Sequence, residues 1–270
     1  MKRMQFFVIG VLIAAAVAGC FLGAARLKER AAREKRMASE EALFKQAQAL
    51  EAQGSLTKAR ELYQRLVHEY PQGKFALENQ KLIWDLNVKM LFAPTVTPGT
   101  KIYEVQPQET LGKIAKKFQT TVELIMRANN LKTDMIRSGM RLKICAMKFT
   151  VLVDKSQNLL TLKADDEVFK VYNVSTGLDN CTPVGAFKVI VKIIDPTWYK
   201  AGAVVPPGSP KNILGTRWLG LSVQGYGIHG TTEPESIGKQ ATAGCVRMIN
   251  KEVEELYTMV PIGTDVIVVD

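Results

Sequence analysis

The apolar positions of this chain follow several different rhythms. Phe6 to Ala25 is an uncharged, mostly apolar run of twenty residues, enough to cross the hydrocarbon core of a bilayer as a helix. Between residues 38 and 91 the spacing turns helical. Leu43, Ala47 and Leu50 form one stripe, Gly54 interrupts it, and Leu56, Ala59, Tyr63 and Leu66 form the next. Pro71 follows, and a third helix is predicted from about Phe75 to Leu91. Ala93 to Thr100 holds two prolines and a glycine among small residues and reads as a linker. Over residues 101–146 the order strand, helix, helix, strand is predicted. Ile102–Val105 is the first strand, Thr110 and Thr121 open the helices, and Leu142 and Ile144 lie in the closing strand. Ile114, Ala115 and Phe118 face inward from one helix; Val122, Ile125 and Met126 do so from the other.

From residue 148 onward alternation takes over. Phe149–Val153 and Leu159–Leu162, joined by a polar turn, predict a hairpin. Further strands are expected over Val168–Thr176, Phe187–Ile194, Trp218–Ser222 and Val266–Val269. One short helix, Lys251–Met259, is expected to be capped by Asn250. The expected fold class is therefore multidomain. Residues 1–25 form a signal anchor or lipoprotein signal, and 26–92 an α-helical spacer. Residues 93–100 are the linker, and 101–146 a small α+β unit. Residues 148–270 form a mainly-β, sandwich-like or barrel-like domain.

Charge and cysteine content narrow the classes. With 36 Lys and Arg against 26 Asp and Glu, the net charge is +10, which favours an anionic neighbour such as a membrane surface or a wall polymer. No basic run is interleaved with aromatics, so nucleic acid is not an expected partner. Four cysteines without a C-x-x-C spacing make neither a disulfide scaffold nor a structural zinc site, and no metal or cofactor is expected. Val17-Ala18-Gly19-Cys20 resembles a lipoprotein cleavage site, whereas the apolar residues continuing to Ala25 suit an uncleaved anchor; both tether the remainder to a membrane. The six basic residues among 26–36 outnumber Lys2 and Arg3, which by the positive-inside rule argues for a cytoplasmic C-terminal part.

The candidate chemistry lies in two clusters, Ile228-His229-Gly230-Thr231 and Thr242-Ala243-Gly244-Cys245-Val246-Arg247-Met248. A cysteine attacks a carbonyl as its thiolate, so it needs a base or a positive field. His229, sixteen positions earlier, is the candidate base. The Gly230 carbonyl is a candidate acceptor for the other imidazole N–H, fixing the tautomer. Gly244 lets the chain turn so that the N–H groups of Ala243 to Cys245 face an oxyanion. Arg247 is expected either to hold a substrate carboxylate or to brace the loop. Thr242 and Tyr226 are further candidates for the substrate site. Cys145 reads as a buried small hydrophobe and His68 as a surface histidine. Cys181 is open between a structural place, a disulfide and the rim of the site.

Three resemblances add to this. Residues from about Ser39, with Gly54, Leu56, Ala59, Tyr63 and Pro71, look like one tetratricopeptide unit, which suggests a spacer or a protein partner. Residues 101–146 resemble a LysM domain through Tyr103-x-Val105, Thr110-Leu111, Ile114-Ala115, Phe118, Asn129 and Gly139-x-x-Leu142-x-Ile144. That resemblance implies binding to N-acetylglucosamine-containing glycan strands; Gln106-Pro107-Gln108-Glu109 departs from the family's usual Gly-Asp or Gly-Glu before the threonine. Residues 148–270 look like an L,D-transpeptidase catalytic domain of the YkuD type. The match runs through Val174-Ser175-Thr176-Gly177, Thr182-Pro183-Val184-Gly185-x-Phe187, Tyr226-Gly227-Ile228-His229-Gly230-Thr231, Ser236-Ile237-Gly238 and Gly244-Cys245-Val246-Arg247-Met248 with Asn250. It implies that Cys245 takes an acyl group from a peptidoglycan stem peptide, releases D-alanine and passes the acyl group to a second stem. With water as acceptor the product is that of a carboxypeptidase; an inert wall-binding scaffold is the non-enzymatic alternative. Many members carry Ser-His-Gly-Cys, and here Ala243 stands at the second histidine's place. Because peptidoglycan lies outside the membrane, the expectation is an extracytoplasmic catalytic domain despite the basic residues at 26–36.

Overall fold

The computed structural model describes residues 26–199 and 202–270. Among them no helix is long and apolar enough to cross a membrane. The expected anchor at residues 1–25 lies outside the described residues.

The chain divides into two compact units, residues 1–83 and 84–270. In the first, α1 (Lys2–Ala52) and α2 (Leu56–Glu69) form an antiparallel hairpin turned at Gly54, whose φ of 77° suits a residue without a Cβ. The stripe that meets α2 is carried by Phe44 and Ala47, with Leu43 only half-buried; Ala59, Tyr63 and Leu66 answer from α2. Phe75 stacks on Phe44 at 4.2 Å, and its N–H donates to the buried Glu40 carboxylate at 3.1 Å. His68 is exposed in the last turn of α2.

The second unit begins within α3 (Ala76–Phe92). β1 (Thr100–Glu104), α4 (Leu111–Lys117), α5 (Val122–Ala128) and β2 (Arg141–Cys145) follow, with β1 antiparallel to β2. Thr110 and Thr121 cap the two helices, their hydroxyls accepting from Lys113 N and Leu124 N. The stretch 106–109 solves its turn without glycine: Gln108 takes a φ of 63°, and the Glu109 carboxylate accepts from Gln106 N and the Tyr103 hydroxyl. Ile114 and Ile125 fill this small core, while Leu124 points to the larger core beyond.

That larger core belongs to the strand-rich part. Its elements are β3 (Phe149–Asp154), β4 (Leu159–Ala164), β5 (Glu167–Asn173), β6 (Thr176–Gly177), β7 (Gly185–Ile194), β8 (Trp198–Lys200), β9 (Ala203–Val205), β10 (Arg217–Leu221), β11 (Gly227–His229), β12 (Gln240–Thr242), β13 (Val246–Arg247), α6 (Asn250–Met259) and β14 (Asp265–Val269). Eight strands form one sheet in the order β13-β11-β10-β7-β14-β3-β4-β5. β7 joins two halves: Gly185–Lys188 pair with β14, and Val189–Ile194 with β10. A strand that changes partners along its length lets the sheet fold over its own core. Val151, Val153, Leu160, Leu162, Val189, Leu219, Ile228 and Val246 meet there, together with Val253 and Leu256 of α6. The expected hairpin is β3–β4, with alternate residues buried on each strand. The expected strand over Val168–Thr176 divides into β5 and β6, and the β8–β9 hairpin is an addition.

Candidate active site

His229 ends β11, and Cys245 immediately precedes β13. These strands pair in parallel, Ile228 with Val246 and His229 with Arg247, so Cys245 continues the register opposite Gly227. Side chains two apart on a strand share a face, which places His229, Cys245 and Arg247 on one side of the sheet. The row through His229 extends to Trp218 on β10 and Ile193 on β7.

His229 is buried, and its Nδ1 lies 2.6 Å from the Gly230 carbonyl. A carbonyl can only accept, so Nδ1–H donates and Nε2 keeps its lone pair. The Trp218 indole stacks on the imidazole, with centroids 5.8 Å apart and planes 19° apart. Burial pushes the imidazole down to about 4; the Gly230 carbonyl opposes this and the Arg247 charge adds to it.

Cys245 is partly exposed, its Sγ 3.7 Å from the Gly225 carbonyl. Burial raises the thiol above its ordinary value. The Gly227 N–H aimed at it and the Arg247 charge pull the other way, and the neighbouring Cys181 thiol raises it further. A resting thiolate held by a positive field is thus not what these surroundings favour. Thiol and imidazole are both neutral at rest near neutral pH.

The turn before Cys245 is tightly specified. Gly244 has a φ of +119°, and a Cβ there would come within 2.6 Å of the Tyr226 ring. The Thr242 hydroxyl donates to Cys245 O at 2.7 Å and accepts from Gly244 N at 3.1 Å. Thr242 is buried, and both of its hydrogen bonds hold the turn. Gly244 N–H is likewise engaged, so the oxyanion candidates narrow to the N–H groups of Ala243, which is exposed, and Cys245.

Two roles are expected of Arg247, holding a substrate carboxylate or bracing the loop. Its side chain is buried, with Nη1 2.7 Å from Glu233 Oε2 and 3.0 Å from Ser236 Oγ. It braces the 231–239 loop through Nη1, while its Nε is buried without a hydrogen-bond partner. Cys181 is free and exposed; a Cβ on Gly177 would meet its Sγ at 2.5 Å and Gly244 Cα at 3.0 Å, so it sits at the rim of the site. Cys145 is buried in β2, and burial pushes its thiol up to about 11, which makes it inert.

Sequence reasoning assigned Asn250 the wrong task. The residue before it, Ile249, occupies the N-cap position of α6. The Asn250 amide instead clamps the loop beyond His229: Oδ1 accepts from Thr216 N at 3.2 Å and Thr231 N at 3.0 Å, and Nδ2 donates to Thr231 O at 2.8 Å. A Cβ on Gly215 or Gly230 would collide with that same oxygen. The carbonyl that orients His229 is therefore fixed from a helix twenty positions away. Only the presence of Asn250 beside Gly244–Met248 hinted at this.

Comparison with known proteins identifies the domains of the chain. Residues 148–268 match the L,D-transpeptidase catalytic domain of the YkuD type, 103–144 the LysM domain and 41–73 a tetratricopeptide repeat. YqjB of Bacillus subtilis, an L,D-transpeptidase by name, is 44% identical over 126 residues, covering 44% of this chain and 70% of that protein. YkuD of Bacillus licheniformis, named likewise, is 35% identical over 173 residues, covering 61% of this chain and 96% of that one. Among solved structures, an L,D-transpeptidase from Mycobacterium smegmatis aligns with a TM-score of 0.39 at 20% identity, over 49% of this chain and 64%, under two thirds, of its own. Assignment rests on the sequence relatives and the domain match. On those grounds the chain belongs to the L,D-transpeptidase family.

Proposed function

We propose that the protein is a peptidoglycan L,D-transpeptidase that cross-links diamino acids of stem peptides through a thioacyl-enzyme on Cys245. The observation that carries the reading is the common face of His229 and Cys245 across β11 and β13, with the Nδ1–H of His229 spent on Gly230 and Nε2 left as the base. His229 takes the thiol proton as Sγ attacks the carbonyl of the diamino acid. The oxyanion is received by the N–H groups of Cys245 and Ala243. Collapse breaks the amide, and His229 returns the proton to the departing D-alanine amine. The side-chain amine of a second stem then loses a proton to His229 as it attacks the thioester, and the thiol is restored. Ala243 leaves His229 as the sole imidazole of this cycle. In the same reading the LysM domain holds glycan strands, the helical hairpin spaces the enzyme or meets a protein partner, and residues 1–25 tether it with the catalytic domain outside the cytoplasm.

The test is mass analysis of products from two tetrapeptide stems. A cross-linked dimer with release of D-alanine, lost in Cys245→Ala, is expected. Tripeptide alone identifies a carboxypeptidase, and no turnover with intact glycan binding identifies a scaffold.

A further inference from the structure

Trp218 has so far entered only as a neighbour of His229, yet three separate features are arranged around its ring. The first is the register: Trp218 pairs with His229 on one side and Ile193 on the other, within the row that ends at Arg247. The second is the stack on the imidazole, close to parallel at 5.8 Å. The third is a pair of glycines. A Cβ on Gly227 would meet the indole at 2.6 Å (Cζ2) and 2.7 Å (Cη2), and one on Gly220 would meet its Nε1 at 2.8 Å. Gly220 and Gly227 are themselves partners across β10 and β11. Two adjacent strands thus give up their side chains under one ring, so that the indole lies flat from the imidazole across Gly227 to Gly220. Gly227 also supplies the N–H aimed at the Cys245 thiol.

We propose that Trp218 is a positioning residue for the nucleophile and base together: its indole clamps the His229 imidazole on one face, keeps water from it, and pins the Gly227 backbone whose N–H faces the thiol. This rests on the reading of His229 as the base of Cys245. Hydrogen bonding to Gly230 fixes one end of the imidazole but leaves rotation about that contact, and the indole plane removes it. The ring also denies water to the face that an imidazolium needs hydrated, which holds the base neutral. The charged group acting on His229 is Arg247 on β13, itself paired with Glu233; the Cys245 thiol shares its face of the sheet by register. Arg217 on β10 turns away to the Tyr257 ring.

The test uses the full chain with labelled histidine, Trp218→Phe, Trp218→Leu and Trp218→Ala. Only two imidazoles, His68 and His229, give signals, so each can be followed by NMR through a pH titration. In Trp218→Ala, His229 is expected to titrate at least one unit above the wild type, toward the ordinary histidine value near 6.5. The acylation rate with a stem tetrapeptide is expected to fall about 10- to 100-fold with KM little changed, the cost of a misplaced catalytic group. Trp218→Phe should restore the rate to within about threefold, because a flat ring is kept. Trp218→Leu, which refills the space without a plane, should behave like alanine and stands in for it if Trp218→Ala does not fold. Unchanged titration of His229 and unchanged acylation in folded Trp218→Ala or Trp218→Leu would overturn the proposal. A wild type that fails to acylate would overturn the reading of the site instead, and the titration still decides the role of Trp218.

Discussion

His229 and Lys143 are both buried bases, and the fold treats them in opposite ways. Lys143 is 1% exposed in β2, and its ammonium donates to the carbonyls of Met90, Leu91 and Ala93 at 2.7, 3.2 and 2.7 Å. The first two are among the last carbonyls of α3, which a helix leaves without partners and which carry its negative end, and the third follows just beyond it. His229, 2% exposed, has one carbonyl and an aromatic face. Desolvation lowers both, Lys143 to about 8 and His229 to about 4. At neutral pH the lysine is still charged and fully occupied, while the imidazole is neutral with a lone pair to spare. A shifted pKa by itself therefore does not mark a reactive group. The unspent lone pair, beside a half-exposed thiol, does.

The sharpest break in this comparison comes from deleting each base. His229→Ala should lower acylation by about 10²- to 10⁴-fold, the span of a general base, with thermal unfolding little changed. Asn250→Ala comes next: with Thr216 N, Thr231 N and Thr231 O released, the carbonyl of Gly230 is free to drift. Acylation should fall about tenfold or more, and stability by about 1–3 kcal/mol for buried backbone groups left unpaired, read by urea unfolding. Lys143→Met should invert the pattern. The α3 carbonyls lose their donor, stability falls by about 1–3 kcal/mol, and kcat for stem peptides stays within about twofold.

The pH dependence sharpens the same contrast. Because the folded His229 titrates near 4 and the unfolded one near 6.5, the unfolded state takes up its proton first as pH falls. His229 thus subtracts stability progressively between pH 6.5 and 4 and is neutral in effect above 6.5; the acid limb of kcat/KM should lie near pH 4. Lys143 acts in the alkaline range. Its folded value near 8 sits below the ordinary 10.5, so the unfolded state holds more protons between them, and stability rises from pH 8 to 10.5. Lys192, also pushed down to about 8, contributes in the same window. Urea titrations at several pH values should show a smaller alkaline rise in Lys143→Met than in the wild type. The smallest effect is expected at another buried cation: Glu233→Gln removes a half-exposed partner of Arg247 and should cost about 1 kcal/mol or less, while loosening the 231–239 loop.

How much of this was legible in the sequence depended on range. Alternation in Phe149–Val153 and Leu159–Leu162 announced a hairpin because both halves of the signal are local. Thr110 and Thr121 announced helix starts for the same reason. The pairing of His229 with Cys245 was legible through two glycine-marked clusters, although the parallel register behind it was not. Asn250 misled because an asparagine ahead of a helix reads as a cap, and its real partners, Thr216 and Thr231, lie 34 and 19 positions away. Gly220 fell within the expected Trp218–Ser222 strand and Gly227 within the motif leading to His229; only the fold shows that the Trp218 ring needs their missing side chains. The β8–β9 hairpin gave no signal because each strand is only three residues long, too short for alternation to show. For Arg247 the fold adds a partner the sequence did not show, Glu233, fourteen positions away.

The central claim is that Cys245 carries the acyl group with His229 as its base. The most direct measurement is intact-protein mass spectrometry after brief incubation with a stem tetrapeptide, for the wild type, Cys245→Ala and His229→Ala. The account predicts a covalent adduct on the wild type, equal in mass to the tetrapeptide less D-alanine and mapped to Cys245. It predicts none on Cys245→Ala and only slow formation on His229→Ala. An adduct that persists in Cys245→Ala, or maps to Cys181, would contradict it.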